Sequence, residues 1–144
     1  MKFRFAAAAV LGLTAFGLSF SALRAQATKS VWDGVYSDAQ ARDGAELYGQ
    51  QCASCHGDTL AGGEEAPPLA CGDFLSNWNG LTAGDLFERI RTTMPLSKPQ
   101  SLSREVNAKI LAYIFSVNKF PAGKTDMPLQ TEILKGIQIQ SSKP

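Results

Sequence analysis

The chain has 144 residues, of which 44% are hydrophobic and 19% charged, as expected of one globular domain. Its formal net charge is +1 and it contains no long run of lysine and arginine, so nothing in it favours a nucleic-acid partner. One histidine and three cysteines leave only a small set of donors for metal chemistry.

The N-terminal segment 1–27 has the pattern of a secretory signal peptide. Two basic residues precede an apolar run of sixteen residues, and small residues follow it. We predict export with cleavage after Ala27, with Ala25 as the second choice. An uncleaved anchor is the alternative, since the apolar run is slightly short for a membrane span. The mature part, 28–144, has 11 basic and 13 acidic residues, a near-neutral charge that predicts weak electrostatic steering of partners.

The first helix predicted in the mature part begins at Ser37 or Asp38 and ends at Gly57. Apolar residues recur within it at three- and four-residue spacing, which indicates one buried face. Residues 59–72 are rich in glycine and proline, so we predict an irregular loop there. Residues 73–80 carry isolated apolar side chains in a polar stretch, and we predict no helix there.

Two further helices are marked by their caps. Thr82 begins one, with Asp85 in the capping-box position, and this helix is expected to stop two residues before Pro95. Ser103 begins the other, which is expected to close before Pro121. We expect the tail from about residue 121 to wrap over the surface. Three helices joined by such long loops are unusual in a small domain, unless a large cofactor fills the core.

The motif C-x-x-C-H at Cys52, Cys55 and His56 is typical of covalent haem attachment. On a helix these positions share one face, so both sulfurs can bond to haem vinyl groups while the histidine reaches the iron. A zinc site completed by Cys71 is possible by count, but three ligands from one turn converge poorly on a tetrahedral ion. A thioredoxin-like redox pair lacks its βαβ surroundings. We predict one haem c, attached through Cys52 and Cys55.

A single histidine excludes iron ligation by two histidines, so the sixth ligand is a methionine, a lysine, Cys71 or nothing. We favour Met94, because Pro95 keeps its backbone extended in the loop after the second helix. Met127 lies in the tail, where methionine is usually a packing residue. Thioether ligation raises the haem potential and is typical of electron-transfer cytochromes. A saturated iron leaves no place for substrate, which predicts a carrier and not an enzyme.

The stretches CASCHG, APPLACGDF, TMP and AKILAYI occur in the order in which class I c-type cytochromes carry their motifs. Over nearly all of its mature part the chain resembles that family, and among its members the small periplasmic monohaem cytochromes, including those found beside quinoprotein dehydrogenases. This resemblance implies a class I cytochrome c fold, all-α, with three main helices and long irregular loops around one covalently bound haem in 28–144. It also implies a periplasmic location.

The resemblance further implies the residues that bind haem: Cys52, Cys55, His56, Met94, Pro67 and Trp78. His56 and Met94 would be the axial ligands of the iron. The Pro67 carbonyl would accept a hydrogen bond from the axial imidazole, fixing its orientation and raising its basicity. Trp78 falls where the family places a donor to a haem propionate.

Two packing features accompany this resemblance. Gly44 and Tyr48 match one side of the family's helix crossing, with Ile110 and Tyr113 on the other side. Cys71 stands where the family usually has glycine, which puts the local turn in doubt. We otherwise expect this lone cysteine to be a small buried hydrophobe, with a redox sensor or a cross-link to a partner as alternatives.

The function predicted from these features is one-electron transfer in the periplasm, between a donor dehydrogenase or respiratory complex and an acceptor. The donor could be a quinoprotein dehydrogenase and the acceptor an oxidase. The protein would act as a monomer or as a subunit of a complex, and would reach a membrane only through its partners. Two alternatives stay open: a tightly bound cytochrome subunit of a dehydrogenase complex, and a gas-binding haem protein with a displaceable sixth ligand.

Overall fold

The computed structural model describes residues 29–144, so the predicted signal peptide and its cleavage site lie outside the described residues. The helices are α1 (Asp38–Gln51), α2 (Ala53–His56), α3 (Cys71–Trp78), α4 (Ala83–Thr93), α5 (Arg104–Val117) and α6 (Thr131–Leu134). Two short strands, β1 (Lys29–Ser30) and β2 (Ile137–Gln138), pair in parallel. A 3-10 turn at Val31–Asp33 follows β1. The predicted all-α fold is confirmed. Between residues 29 and 144 no helix is both long and apolar enough to cross a membrane.

The three main helices α1, α4 and α5 begin where their caps predicted. Ser37, Thr82 and Ser103 each accept a hydrogen bond from the backbone N–H three residues on, at 3.0, 3.1 and 3.2 Å. At α4 the box is complete, since the backbone N–H of Thr82 donates to the Asp85 carboxylate at 3.0 Å. Each side-chain cap satisfies a backbone donor that the helix leaves free, which stabilises the helix by about 1 kcal/mol.

Helices α1 and α5 cross at very short range, and Gly44 makes this crossing possible. A Cβ added to Gly44 would lie 1.9 Å from the Lys109 carbonyl oxygen and 3.0 Å from the Cβ of Tyr113. One turn further along, the rings of Tyr48 and Tyr113 pack with their centroids 5.3 Å apart. Ile110 is buried in the same contact. The predicted helix crossing is therefore confirmed.

The eight-residue helix α3 was not predicted. Its one buried side chain is Phe74, which is completely inaccessible to solvent. Burial of this ring stabilises the fold by about 1.5–3 kcal/mol. The helix has only two turns, and Ala70 provides no side-chain cap. Two turns are too short for apolar spacing to identify a helix, and no capping residue marks where this one begins.

The tail packs into the core, so the prediction of a surface wrap was wrong. Met127, Leu134, Ile137 and Ile139 are all at most 3% exposed. Strand β2 pairs with β1, and α6 packs on α4. Ile137 and Ile139 alternate as in a strand, but two positions are too few to predict burial. Met127 and Leu134 share no helical or strand period with them, so the sequence does not indicate that this segment enters the core.

Glu88 on α4 accepts a hydrogen bond from the Thr131 hydroxyl on α6. We predict that the stability of this contact depends on pH. Hydrogen bonds from Arg91 and then from Thr131 lower the pKa of the Glu88 carboxyl to about 2, from an ordinary value of 4.5. A carboxylate with a lowered pKa in the folded state stabilises the fold above its ordinary pKa. This contribution is lost as the pH falls from about 4.5 towards 2.

We therefore expect Glu88→Gln to lower the urea midpoint at neutral pH and to flatten its decline between pH 5 and 2. Glu132→Gln, an exposed acid on α6, is the matched control and should leave the decline unchanged. Parallel pH profiles for the wild-type protein and Glu88→Gln would contradict the assignment.

Candidate haem-binding site

The attachment motif lies on a separate turn and not on α1 itself. Cys52 leaves the helical region with φ −127° and ψ −34°, and α2 follows directly. The N–H groups of Cys55 and His56 both bond to the Cys52 carbonyl, at 3.2 and 3.0 Å, so the three side chains still share one turn. The prediction of one continuous helix to Gly57 was wrong at Cys52. The apolar spacing does not reveal the break, since both pieces are helical.

His56 is 8% exposed, and its ring is oriented by the loop that follows. Its Nδ1 lies 2.8 Å from the Pro67 carbonyl oxygen, so Nδ1–H donates to that carbonyl. This is the ring's one hydrogen bond within residues 29–144, and Nε2 is left for another partner. When one ring nitrogen of a histidine binds a metal, a hydrogen bond donated by the other nitrogen fixes the tautomer and raises the basicity of the imidazole.

The irregular loop predicted for residues 59–72 extends to Ala70, before α3 begins at Cys71, and it is tied down by backbone bonds. The Gly62 N–H donates to the His56 carbonyl at 2.9 Å, and the Leu69 N–H to the Leu60 carbonyl at 2.8 Å. The Tyr48 hydroxyl donates to the Gly57 carbonyl at 2.8 Å, and burial raises the pKa of this hydroxyl. These bonds hold the Pro67 carbonyl in a defined place beside the attachment turn.

Cys71 lies at the start of α3 with a left-handed backbone, at φ +64°. It is exposed, so the expectation of a buried cysteine was wrong: residues 71–73 are all outward-facing. A positive φ is the conformation that glycine adopts without strain, which agrees with glycine's usual place at this point in the family.

We predict that Cys71→Gly is about 1 kcal/mol more stable than Cys71→Ala, because both variants lose the thiol but only alanine keeps the Cβ that strains this conformation. Chemical denaturation of the two variants measures the difference. Equal midpoints would show that the backbone at residue 71 relaxes freely when the side chain is shortened.

Met94 is half-buried and caps the C-terminus of α4 with an extended backbone, at φ −119° and ψ 151°. The predicted stop of this helix before Pro95 is confirmed. The loop that follows is exposed to solvent, and Leu96 within it is 76% exposed. Trp78, the last residue of α3, is half-buried, and its indole N–H has no hydrogen-bond partner within the described residues.

Met127 occupies a different part of the molecule. Its N–H donates to the Gln40 side chain at 2.8 Å, and its carbonyl accepts from the same side chain at 3.3 Å. Gln40 lies in the first turn of α1, about 18 Å along the helix from Cys52 at a rise of about 1.5 Å per residue. The Met127 side chain is 2% exposed, as a packing residue is.

The family model described as "Cytochrome C oxidase, cbb3-type, subunit III" matches residues 39–114. The chain belongs to this family of c-type cytochromes. The matched segment runs from the first turn of α1 to the last turn of α5 and includes the attachment turn and Met94. The class I cytochrome fold, a covalently bound haem c and haem-based electron transfer follow from this membership.

The cytochrome is similar to the crystal structure of the sulfane dehydrogenase SoxCD from Paracoccus pantotrophus, with 24% sequence identity and a TM-score of 0.48. The similarity covers 89% of the cytochrome, which spans 66% of the length of that chain. No curated protein matches the sequence.

The donor set of the cytochrome fits haem c. Both thiols of the attachment turn are free, and burial together with the neighbouring Cys55 raises the pKa of the Cys52 thiol to about 11. In residues 29–144 no three His, Cys, Asp or Glu side chains cluster so that they could hold a bare metal ion. Several apolar side chains that pack against the core are only half-covered by polypeptide, among them Leu69, Trp78 and Met94.

Proposed function

We propose that this cytochrome is a one-electron carrier of the periplasm whose haem iron is bound by His56 and Met94. The observation that carries the proposal is the state of His56, with Nδ1 engaged by Pro67 and Nε2 free on the same turn as two free thiols. Haem c, when bound, supplies an iron that alternates between Fe(III) and Fe(II). Cys52 and Cys55 would hold its edge through thioether bonds.

The sixth position belongs to Met94 in this proposal, because the other mature methionine is committed elsewhere. Met127 is enclosed by protein and its backbone is held near the opposite end of α1 from the attachment turn. Met94 keeps a half-exposed side chain on an extended backbone at the end of α4. If His56 and Met94 fill both axial positions, the iron has no open position for a substrate, and this arrangement supports a carrier and not a catalyst.

Trp78 is proposed as a donor to a haem propionate. Its indole N–H has no protein acceptor in the described part of the chain and is therefore available to a propionate oxygen. Half-covered apolar side chains such as Leu69 and Met94 would exclude water from the haem. The more the charged haem iron is shielded from water, the more the Fe(II) form is favoured.

The uneven distribution of charge along the chain bears on which redox partners the protein attracts. From Asp43 to Glu88 there are eight acidic residues and no lysine or arginine, whereas nine of the basic residues follow Glu88. Asp58, Glu64, Glu65 and Asp73 are exposed and belong to no salt bridge among residues 29–144. The near-neutral total therefore conceals an acidic stretch of sequence, which includes the loop that follows the attachment turn.

We expect electron exchange with a cationic redox reagent to slow as salt is added, by more than the net charge predicts. Stopped-flow rates at several ionic strengths measure this effect. Glu64→Gln combined with Glu65→Gln should reduce the salt dependence, whereas Glu132→Gln on α6 should not. A wild-type rate that is independent of salt would contradict the expectation.

A dehydrogenase, such as a quinoprotein dehydrogenase, is the proposed electron donor, and an oxidase or a comparable complex is the proposed acceptor.

The proposal of a periplasmic location rests on the signal-peptide pattern of residues 1–27. Expression with the native leader, followed by fractionation, tests it. Haem-containing protein in the periplasmic fraction is expected, and protein held in the membrane fraction would favour an uncleaved anchor.

A reversible spectroelectrochemical titration tests the carrier function. We expect a single one-electron transition, together with rapid exchange of electrons with small redox reagents and no turnover of peroxide. A substantial peroxidase activity of the intact protein would indicate an accessible iron and would contradict the proposal.

A further inference from the structure

Asn118 lies just beyond the end of α5, is 8% exposed, and connects two distant parts of the chain. Its Nδ2 donates to the Leu69 carbonyl and to the Ile114 carbonyl, both at 2.9 Å. Its Oδ1 accepts the Cys71 N–H at 3.0 Å. One buried amide thus holds the loop before α3 from both sides, across almost fifty residues of sequence.

The segment held by Asn118 is the one that carries the histidine's partner. Pro67 and Pro68 directly precede Leu69, and the ring of Pro68 fixes φ at that residue. Only ψ of Pro68 and φ and ψ of Leu69 are then free to rotate between the Pro67 carbonyl and the clamped Leu69 carbonyl. The Leu69 N–H bond to Leu60 completes the restraint on this side of the loop.

From this geometry we infer that Asn118 is a positioning residue for the axial histidine. By fixing Leu69 and Cys71 it sets the direction of the Pro67 carbonyl, and with it the strength of the hydrogen bond from His56 Nδ1. That bond raises the basicity of the imidazole and so favours Fe(III) over Fe(II). The inference rests on the proposed ligation of iron by His56.

The test uses the Asn118→Ala variant of the haem-loaded protein. We expect the His56 Nδ1 proton of the ferrous form to exchange with solvent about tenfold faster, as measured by NMR. We also expect the redox equilibrium with a reference couple to shift towards the reduced cytochrome by about three- to tenfold, because a weaker hydrogen bond destabilises Fe(III).

Asn107→Ala is the matched control. Asn107 is a buried asparagine on α5 whose Nδ2 donates to the Leu102 and Ser103 carbonyls, at 3.1 and 2.9 Å, and which makes no hydrogen bond to the loop around Pro67. Its loss should lower stability, as the loss of Asn118 does, and leave the His56 proton protected. Asn118→Asp keeps an acceptor for the Cys71 N–H and loses the donors to Leu69 and Ile114, so faster exchange of the His56 Nδ1 proton is expected. Exchange alone is the readout for this variant, because its added negative charge by itself favours Fe(III). Asn118→Asp also provides a reading if the alanine variant fails to accumulate.

The outcomes distinguish the role of His56 from that of Asn118. Ferrous wild-type protein whose His56 ring protons lack the large shift that a bound haem imposes on its axial imidazole would contradict the axial role of His56 itself. If those protons are shifted and the Nδ1 proton is protected in the wild type, but neither Asn118→Ala nor Asn118→Asp makes it exchange faster and Asn118→Ala leaves the redox equilibrium unchanged, then Asn118 is only structural and the inference fails.

Discussion

Replacing Met94 with alanine is expected to leave haem attached to the protein and to open its sixth coordination position. Attachment depends on Cys52 and Cys55, which the substitution does not touch. Loss of the thioether should remove the Met–iron charge-transfer band of the ferric protein and lower the reduction potential by on the order of 0.1 V. The ferrous variant should then bind CO. Visible spectra and a potentiometric titration measure these changes.

Met127→Ala is the control for this prediction. Met127 is packed in the core, so its truncation should lower the free energy of unfolding by about 2–5 kcal/mol and leave the spectrum unchanged. If Met94→Ala retained the charge-transfer band while Met127→Ala lost it, the ligand assignment would be reversed. Unchanged spectra in both variants would point to a lysine or to Cys71.

The second large effect is expected at the crossing of α1 and α5. Gly44→Ala places a methyl group where the Lys109 carbonyl oxygen would be 1.9 Å away, and the obstacle is backbone. The two helices must separate, so we expect the free energy of unfolding to fall by about 3 kcal/mol or more. Chemical denaturation of the haem-loaded protein measures the loss.

Gly49→Ala, on the same helix, is the matched control. No atom lies within 4 Å of a Cβ at Gly49, and alanine is the better helix former by about 0.5–1 kcal/mol. This variant should therefore be slightly more stable than the wild-type protein. Equal effects of the two substitutions would mean that the crossing adjusts to a methyl group, which would contradict the close approach described here.

The features that could be predicted from the sequence are those with a local physical cause. The caps at Ser37, Thr82 and Ser103 fix where the main helices begin, because the hydroxyl and the backbone donor that it satisfies are three residues apart. The stop at Met94 follows from the ring of Pro95. The attachment motif is equally local, and it predicted the cofactor.

What could not be predicted depends on contacts between distant segments. The burial of Met127 requires Gln40, and the tail enters the core by pairing with residues at the start of the described chain. The clamp at Asn118 joins residues almost fifty positions apart, and no local pattern marks it. The prediction that Cys71 is buried was wrong because its exposure follows from the backbone at the start of α3, a two-turn helix without a side-chain cap.

The prediction for Pro67 differs from these in its origin. Its carbonyl was implied as a partner of the histidine by resemblance alone, and the structure places it 2.8 Å from His56 Nδ1. The roles of His56, Met94 and Trp78 at the haem stay predictions. They depend on a group that only the loaded protein contains.

Addition of CO to the ferrous, haem-loaded wild-type protein at neutral pH tests the central claim most directly. If His56 and Met94 both bind the iron, the ferrous spectrum should not change at CO concentrations that saturate Met94→Ala, and the ferric form should show the Met–iron charge-transfer band. Ready binding of CO by the wild-type protein, without that band, would contradict the carrier function and favour a gas-binding haem protein.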